Sequence, residues 1–174
     1  MSNLKDFYKN KRVFITGHTG FKGTWLTACL LKFGSKIMGY SKPDDRLKIY
    51  KSMCHHNKVK NAYADILDYK FLRSKMISFK PQIIFHLAAQ SLVSESYKFP
   101  MKTVATNTIG TTNILNISRE IKSLNSLVII TSDKCYLNKE LTRGYKESDI
   151  LGGEDLYSAS KASAEIIFKA YSES

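Results

Sequence analysis

The stretch Val13-Phe14-Ile15-Thr16-Gly17-His18-Thr19-Gly20-Phe21-Lys22-Gly23 decides how this chain is read. Its first four residues form an apolar, β-branched run, the pattern of a strand covered on both faces in a parallel sheet. Glycines follow at 17, 20 and 23, with the spacing G-x-x-G-x-x-G, and then a helical stretch. A turn from strand to helix needs positive φ, or a missing Cβ, to bring a pyrophosphate against the backbone. The last glycine lets the helix pack closely on the sheet, and the helix N-terminus offers unpaired N–H groups to an anion. A glycine triplet alone is a weak signal, and a tight turn with no ligand is the plain alternative. The flanking strand and helix are the context that the phosphate reading requires. Lys22-Gly23-Thr24 superficially suggests a nucleoside-triphosphate loop, but that motif needs four residues between its glycines and the order Gly-Lys-Ser/Thr.

Working outward, four more short runs alternate with helical stretches. They are Lys36 to Tyr40, a weaker one from Val59 to Ala64, Ile83 to Leu87 and Leu127 to Thr131. The first, fourth and fifth runs are apolar almost throughout, which predicts strands covered on both faces. Helices are predicted over Phe21–Phe33, with Gly34 as the stop, and over Asp68–Phe79, with Asp68 at the N-cap and Pro81 beyond the end. A long helix is predicted over Met101–Lys122, with Met101, Ala105 and Ile109 repeating at four and Ile114, Ile117 and Ile121 at three and four. The last helix is predicted over Asp155–Tyr171, with Ala162, Ile166 and Ala170 on one stripe. The alternation implies an α/β, doubly wound parallel sheet (the Rossmann fold), strand order 3-2-1-4-5, with right-handed crossovers. The chain stops inside or just after a helix, where a sixth strand is expected. A fragment is therefore expected, with residues 1–174 as one dinucleotide-binding domain; the family resemblance that follows implies that the missing part is a C-terminal substrate domain.

With 174 residues, 43% hydrophobic and 24% charged, the chain suits a globular domain with its own core. No apolar run reaches membrane-spanning length, and Met1–Lys11 has no signal-peptide core. Cys29, Cys54 and Cys135 are an odd count without paired spacing, which predicts a reducing cytoplasm, no disulfide framework and no metal site. The formal charge of +12 raises nucleic-acid binding. The basic residues are scattered, however, and no nucleic-acid-binding signature is present. A basic surface also attracts an anionic nucleotide.

In this fold the second strand normally ends on an acid for the adenosine ribose. Here it reads Gly39-Tyr40-Ser41-Lys42, and Asp44 and Asp45 come slightly later. Lys42 and Arg46 could serve a 2′-phosphate, although a solvent-facing role is the expected one. Downstream, Tyr157-Ser158-Ala159-Ser160-Lys161 sets Tyr157 and Lys161 at i, i+4 on one helix face. An ammonium near the phenol lowers its pKa and lets the tyrosinate act as a general base. A lone Y-x-x-x-K is common by chance. Its place beyond the fifth strand, which ends Thr131-Ser132-Asp133-Lys134, is what gives it weight, because ligands gather at the carboxyl ends of strands. A surface turn is the plain alternative for Asp133 and Lys134.

These motifs together resemble the extended short-chain dehydrogenase/reductase superfamily: T-G-x-x-G-F-x-G, then Asp65-Ile66-Leu67-Asp68, His86-Leu87-Ala88-Ala89-Gln90, Asn107 in a long helix, and Y-S-A-S-K. Within it, Gly17–Gly23, Thr131-Ser132-Asp133-Lys134-Cys135-Tyr136 and Gly152-Gly153 resemble the CDP-glucose 4,6-dehydratases. The related dTDP-glucose enzymes carry Thr-Asp-Glu where this chain has Ser132-Asp133-Lys134. UDP-N-acetylglucosamine 4,6-dehydratases share an Asp-Lys pair but have a different glycine loop.

The resemblance implies an NAD-dependent lyase of deoxysugar biosynthesis, as in lipopolysaccharide O-antigen assembly, that converts CDP-glucose to CDP-4-keto-6-deoxyglucose. Tyr157, assisted by Lys161, would take the 4-hydroxyl proton while hydride passes from C4 to NAD. Lys134 would be the base at C5 and Asp133 the acid for the departing 6-hydroxyl, before hydride returns to C6. Ser132 would orient the 4-hydroxyl. Cofactor contacts are implied for Gly17, Thr19, Gly20, Phe21, Lys22, Gly23, Tyr40, Ser41, Asp65, Ile66, Leu87, Ala88, Ala89, Gln90, Asn107, Thr131, Tyr157 and Lys161. Asn107 could equally be a packing amide, His18 reads as a loop residue and His86 as structural. A homodimer through the 101–122 and 155–171 helices is implied, although their stripes could equally be core. A sibling 4-epimerase and a dinucleotide-binding fragment without activity stay open. Asp133 and Lys134 discriminate, since an epimerase needs no acid and base for elimination.

Overall fold

The computed structural model describes residues 2–42, 47–53 and 56–173. The chain divides into two compact units, Met1–Ala88 with Asn116–Ile129, and Ala89–Leu115 with Ile130–Ser174.

The first unit holds a five-stranded sheet of β1 (Arg12–Thr16), β2 (Lys36–Ser41), β3 (Val59–Tyr63), β4 (Ile83–His86) and β5 (Ser126–Ile129), in the order β3-β2-β1-β4-β5. Every pairing is parallel, with Val13 opposite Ile37 on one side and Ile83 on the other. The winding reverses between β3 and β4, so the expected order and its switch point beside β1 are both present.

Successive β1 side chains point to opposite faces. Val13 and Ile15 pack with Leu30, Ile37, Val59 and Ile83 in one cluster, joined by Leu26 and Leu31 of α2 (Phe21–Lys32) and Tyr8 of α1 (Ser2–Tyr8). Phe14, on the other face, meets Phe79 of α4 (Tyr69–Phe79) and the ring of Tyr40. Along the chain, the short α3 (Leu47–Met53) comes between α2 and α4. Each fully buried Val, Ile or Phe contributes about 2 kcal/mol relative to exposure, so β1 is a main anchor of the sheet.

The helix ends follow local chemistry. Gly34, at φ +82°, terminates α2, with Ser35 N–H bonding to Leu30 and Gly34 N–H to Leu31, the double bond of a Schellman stop. Asp68 caps α4 by accepting from Phe71 N–H at 3.1 Å.

Several expectations need correction. β5 is not covered on both faces: Val128 is 39% exposed, because β5 is the edge of the sheet and, among the described residues, pairs only with β4. The predicted 101–122 helix is three segments: α6 (Pro100–Val104), a π-helical turn (Ala105–Ile109) and α7 (Gly110–Ser118). It stops at Ser118 because the chain tightens there into i to i−3 bonds, Glu120 to Ile117 and Ile121 to Ser118. The stripe of Met101 and Ile109 faces outward, at 79% and 51% exposed, whereas Thr103, Asn107 and Ile114 are buried. An extra helix, α5 (Val93–Lys98), precedes it.

In the second unit α8 (Leu156–Glu173) packs on α5, α6, the π turn and a 3-10 turn at Asp133–Cys135. Its buried side is Tyr157, Ser158, Ser160, Lys161, Ala162 and Ala164. The expected stripe therefore fails beyond Ala162: Ile166 is 57% exposed and Ala170 is exposed as well, because the last turns of α8 run clear of those neighbours.

Candidate active site

The candidate residues divide between the two units. In the first, the turn after β1 is shaped by its glycines. Gly17 has φ +70°, and a Cβ there would stand 2.8 Å from the backbone nitrogen of Ala88. At Gly23 it would stand 2.1 Å from the Gly17 carbonyl oxygen. Only bare backbone lets the turn, the end of β4 and the first turn of α2 converge. No side chain caps α2, whose N-cap is Gly20, and its first turn carries no acid. An uncapped helix N-terminus behind a glycine cradle fits a pyrophosphate, so these residues suit a bound dinucleotide.

Thr16 ties the turn to β4. Its buried hydroxyl accepts from Leu87 N–H and Ala88 N–H, both at 3.1 Å, and lies 2.7 Å from His86 Nδ1. With both N–H groups donating to Thr16, its own proton goes to Nδ1, so His86 is held as the Nε2–H tautomer. The His86 ring is buried beside Thr16 by this contact. His18 is fully buried, 3.0 Å from Asn61 Oδ1 through Nε2, with its ring edge-on to Tyr50 at 4.9 Å. Tyr50 also donates to Asn61 Oδ1, at 2.8 Å. Burial lowers the pKa of His18 to about 4, against the opposing pull of its hydrogen bonds, so the ring is neutral near pH 7.

Thr19 and Ser41 share a buried hydroxyl pair at 3.0 Å. Tyr40 turns its ring into the core and donates to the Asp65 carbonyl at 2.8 Å. Burial first, then the carboxylates of Asp68 and Asp65, raise its pKa well above the usual phenol range. Its side chain is therefore scaffold. Phe21 is 75% exposed, Lys22 is exposed and Ile66 is buried. Asp65 accepts from Leu67 N–H at 3.0 Å and pairs with Lys42 at 2.5 Å, so Lys42 is not simply solvent-facing. Asp44, Asp45 and Arg46, like Cys54, lie outside the described residues.

In the second unit Tyr157 and Lys161 are both buried, at 8% and 7% exposed. Lys161 donates to the Ile130 carbonyl at 3.2 Å. Asp155 caps the helix that carries them, accepting from Ser158 N–H at 2.9 Å and Ser158 Oγ at 2.7 Å. Burial pushes the Asp155 carboxyl upward, but these bonds and the charge of Lys134 outweigh it and hold its pKa below the ordinary value. Ser132 caps the following turn, accepting from Lys134 N–H at 3.3 Å and donating to Asp133 Oδ1 at 3.0 Å. Asp133 and Lys134 are exposed.

Asn107, in the π turn, is 1% exposed and donates to Ser160 Oγ at 2.9 Å. Ser160 in turn donates to the Tyr157 carbonyl at 2.7 Å. Ala89 and Gln90 are half-buried, and Gln90 is fixed by Asn107. Sequence reasoning missed Glu165, which accepts a short hydrogen bond from Thr131 Oγ1. The signal was present, because Tyr157, Lys161 and Glu165 recur at every fourth residue of α8.

The order of these motifs along the chain matches a known pattern: residues 14–174 fit the family model described as GDP-mannose 4,6 dehydratase. The chain belongs to the GDP-mannose 4,6 dehydratase family. A CDP-glucose 4,6-dehydratase from Salmonella typhimurium is 40% identical over 171 residues, covering 98% of this chain and 48% of that protein. Among solved structures, an epimerase from Methanothermobacter thermautotrophicus superposes with TM-score 0.89 at 21% identity, covering 98% of this chain and 50% of that one. A dTDP-glucose 4,6-dehydratase from Bacillus anthracis, solved in complex with NAD, gives 0.78 at 25% identity, covering 94% and 51%. The chain spans about half the length of the curated relatives it matches. Among the described residues, no helix is long and apolar enough to cross a membrane.

Proposed function

We propose that the chain is the dinucleotide-binding and Tyr-Lys portion of an NAD-dependent sugar-nucleotide 4,6-dehydratase acting on CDP-glucose, with the smaller substrate domain outside these residues. The observation that carries the reading is the Ser132-Asp133-Lys134 turn, which sits in one unit with the buried Tyr157 and Lys161, in a chain 40% identical to a CDP-glucose 4,6-dehydratase. Gly17, Gly20 and Gly23 with the N-terminus of α2 would hold the pyrophosphate of NAD. Bound NAD would supply the site that accepts hydride from sugar C4 and returns it to C6. Tyr157 would take the proton of the 4-hydroxyl, and Lys161 would hold the phenolate by its charge. Once C4 is a ketone, the C5 proton is acidic; Lys134 would remove it while Asp133 protonates the departing 6-hydroxyl, and would return it to C5 as hydride enters C6. Ser132 would orient the sugar through its hydroxyl.

The same proposal includes a cytoplasmic enzyme working as a homodimer. Met101, Ile109, Ile166 and Phe168, on the 101–122 and 155–171 stretches, are 79%, 51%, 57% and 36% exposed, an apolar surface suited to a second copy. The full-length gene product, incubated with CDP-glucose and NAD, should give a 4-keto-6-deoxysugar detected by its alkaline absorbance. dTDP-glucose and UDP-glucose in parallel should give none. Absence of product from all three would overturn the dehydratase reading. Epimerised sugar instead would assign the chain to the sibling epimerases.

A further inference from the structure

The sheet separates charge between its two edges. Because every pairing is parallel, all five strands start at the same edge. β1 opens on Arg12 and β2 on Lys36, which are partners in register. Lys58 directly precedes β3, and Lys80 and Lys122 lie shortly before β4 and β5. Lys36, Lys58, Lys80 and Lys122 are exposed. The amino-terminal edge therefore gathers cations that are scattered along the chain. Asp65 and Asp68 follow β3, at the opposite edge.

α1 runs into this same cationic edge. Lys11 N–H donates to the Tyr8 carbonyl at 3.1 Å, and Lys36 N–H donates to the Lys11 carbonyl at 2.8 Å. Tyr8 packs against the core, whereas Leu4 and Phe7, one helical turn apart, are 55% and 54% exposed. Lys11 Nζ stands 5.7 Å from the centre of the Phe7 ring, and the exposed Lys9 follows α1. The acids nearby are Asp6 on α1 and Glu120, and Glu120 is held by both arms of the Arg73 guanidinium. Single exposed apolar side chains are ordinary. A pair on one helical face set among lysines is the composition of a segment that lies on an anionic bilayer.

We infer that α1 and the amino-terminal edge of the sheet form a docking surface for an anionic phospholipid bilayer. Each lysine near the headgroups raises affinity about fivefold. Leu4 and Phe7 enter the boundary between headgroups and acyl chains and so leave water. Duplex nucleic acid would meet the same charge but would leave both side chains wet, so the apolar pair favours lipid. The glycine turn lies at the other edge, after β1, and stays open to solution when the chain is docked. The inference does not depend on the reaction assigned to the chain.

The test is co-sedimentation of the full-length gene product with lipid vesicles. Vesicles of phosphatidylglycerol and phosphatidylcholine in equal parts should capture it at low salt, and pure phosphatidylcholine should not. Salt at about 0.5 M should release it, because screening shortens the reach of the lysines. Lys9→Ala with Lys36→Ala should weaken capture about twenty- to thirtyfold. Leu4→Ser with Phe7→Ser should weaken it at least about tenfold, with thermal unfolding unchanged because both side chains are exposed. Lys139→Ala with Lys146→Ala removes the same charge from exposed positions in the second unit, and capture should stay within about twofold of wild type. No capture by the anionic vesicles, or capture that Leu4→Ser with Phe7→Ser leaves intact, would overturn the inference. So would equal losses from the two lysine pairs, or duplex DNA bound as tightly as the vesicles.

Discussion

The side-chain amide of Asn107 pairs with both backbone groups of Gln90, accepting from its N–H at 2.8 Å and donating to its carbonyl at 3.0 Å. A third bond runs to Ser160 on α8. One buried side chain thus joins the segment after β4, the π turn and the helix of Tyr157. Asn107→Ala would leave these buried groups without partners, at about 1–3 kcal/mol each for the worst placed. We expect a loss of about 2–4 kcal/mol in urea unfolding. Asn107→Asp, which keeps only the acceptor, should not restore it.

His18 makes stability depend on pH. Its folded pKa of about 4 lies below the ordinary imidazole value of 6.5, so between those values the unfolded chain binds more protons. The contribution is fully present above about pH 6.5 and is lost as the pH falls toward 4. The loss is about 3 kcal/mol in all. Urea midpoints measured from pH 7 to pH 4 should fall in wild type more steeply than in His18→Gln, where the other three histidines and the carboxylates still titrate.

Gly17→Ala tests the cradle. The residue sits at φ +70°, and the new methyl would press on the Ala88 backbone at 2.8 Å. The left-handed conformation alone costs about 1–2 kcal/mol, and the contact adds to it. NADH affinity should fall at least about tenfold. Gly144→Ala is the matched control, because an added Cβ there meets nothing within 4 Å.

Glu165 and Thr131 should behave as a hydrogen-bonded pair. Glu165→Gln keeps an acceptor for the Thr131 hydroxyl, and its unfolding midpoint should stay close to wild type. Glu165→Ala should cost about 1 kcal/mol. That cost should vanish in a Thr131→Val background, which a double-mutant cycle reads directly.

The sheet was legible because β1, β2 and β4 announce themselves by composition, and because Gly34, Asp68 and Pro81 mark helix ends by local chemistry. Gly17, Tyr157 and Lys161 were legible for a similar reason, since spacing along one element carries them. The Lys42–Asp65 pair was not. The expected strand order set β2 beside β3, but not the register and side-chain reach that bring Lys42 to Asp65. α5 was missed because six residues, Val93–Lys98, are too few to show a helical period. The outward face of Met101 and Ile109 was misassigned because apolar periodicity marks a face without saying what covers it.

The π turn has a consequence for how this chain tolerates change in length. Gly110 N–H reaches back to Ala105, five residues rather than four, so Ala105–Ile109 carries one residue more than an ordinary turn. Losing a single codon there would leave hydropathy and helix propensity almost untouched. The α-helix it restored would rotate its N-terminal portion by about 100° against the rest, and Asn107 could no longer meet Gln90 and Ser160 together. Across this segment an exchange of residues is a small perturbation and an altered reading length a large one.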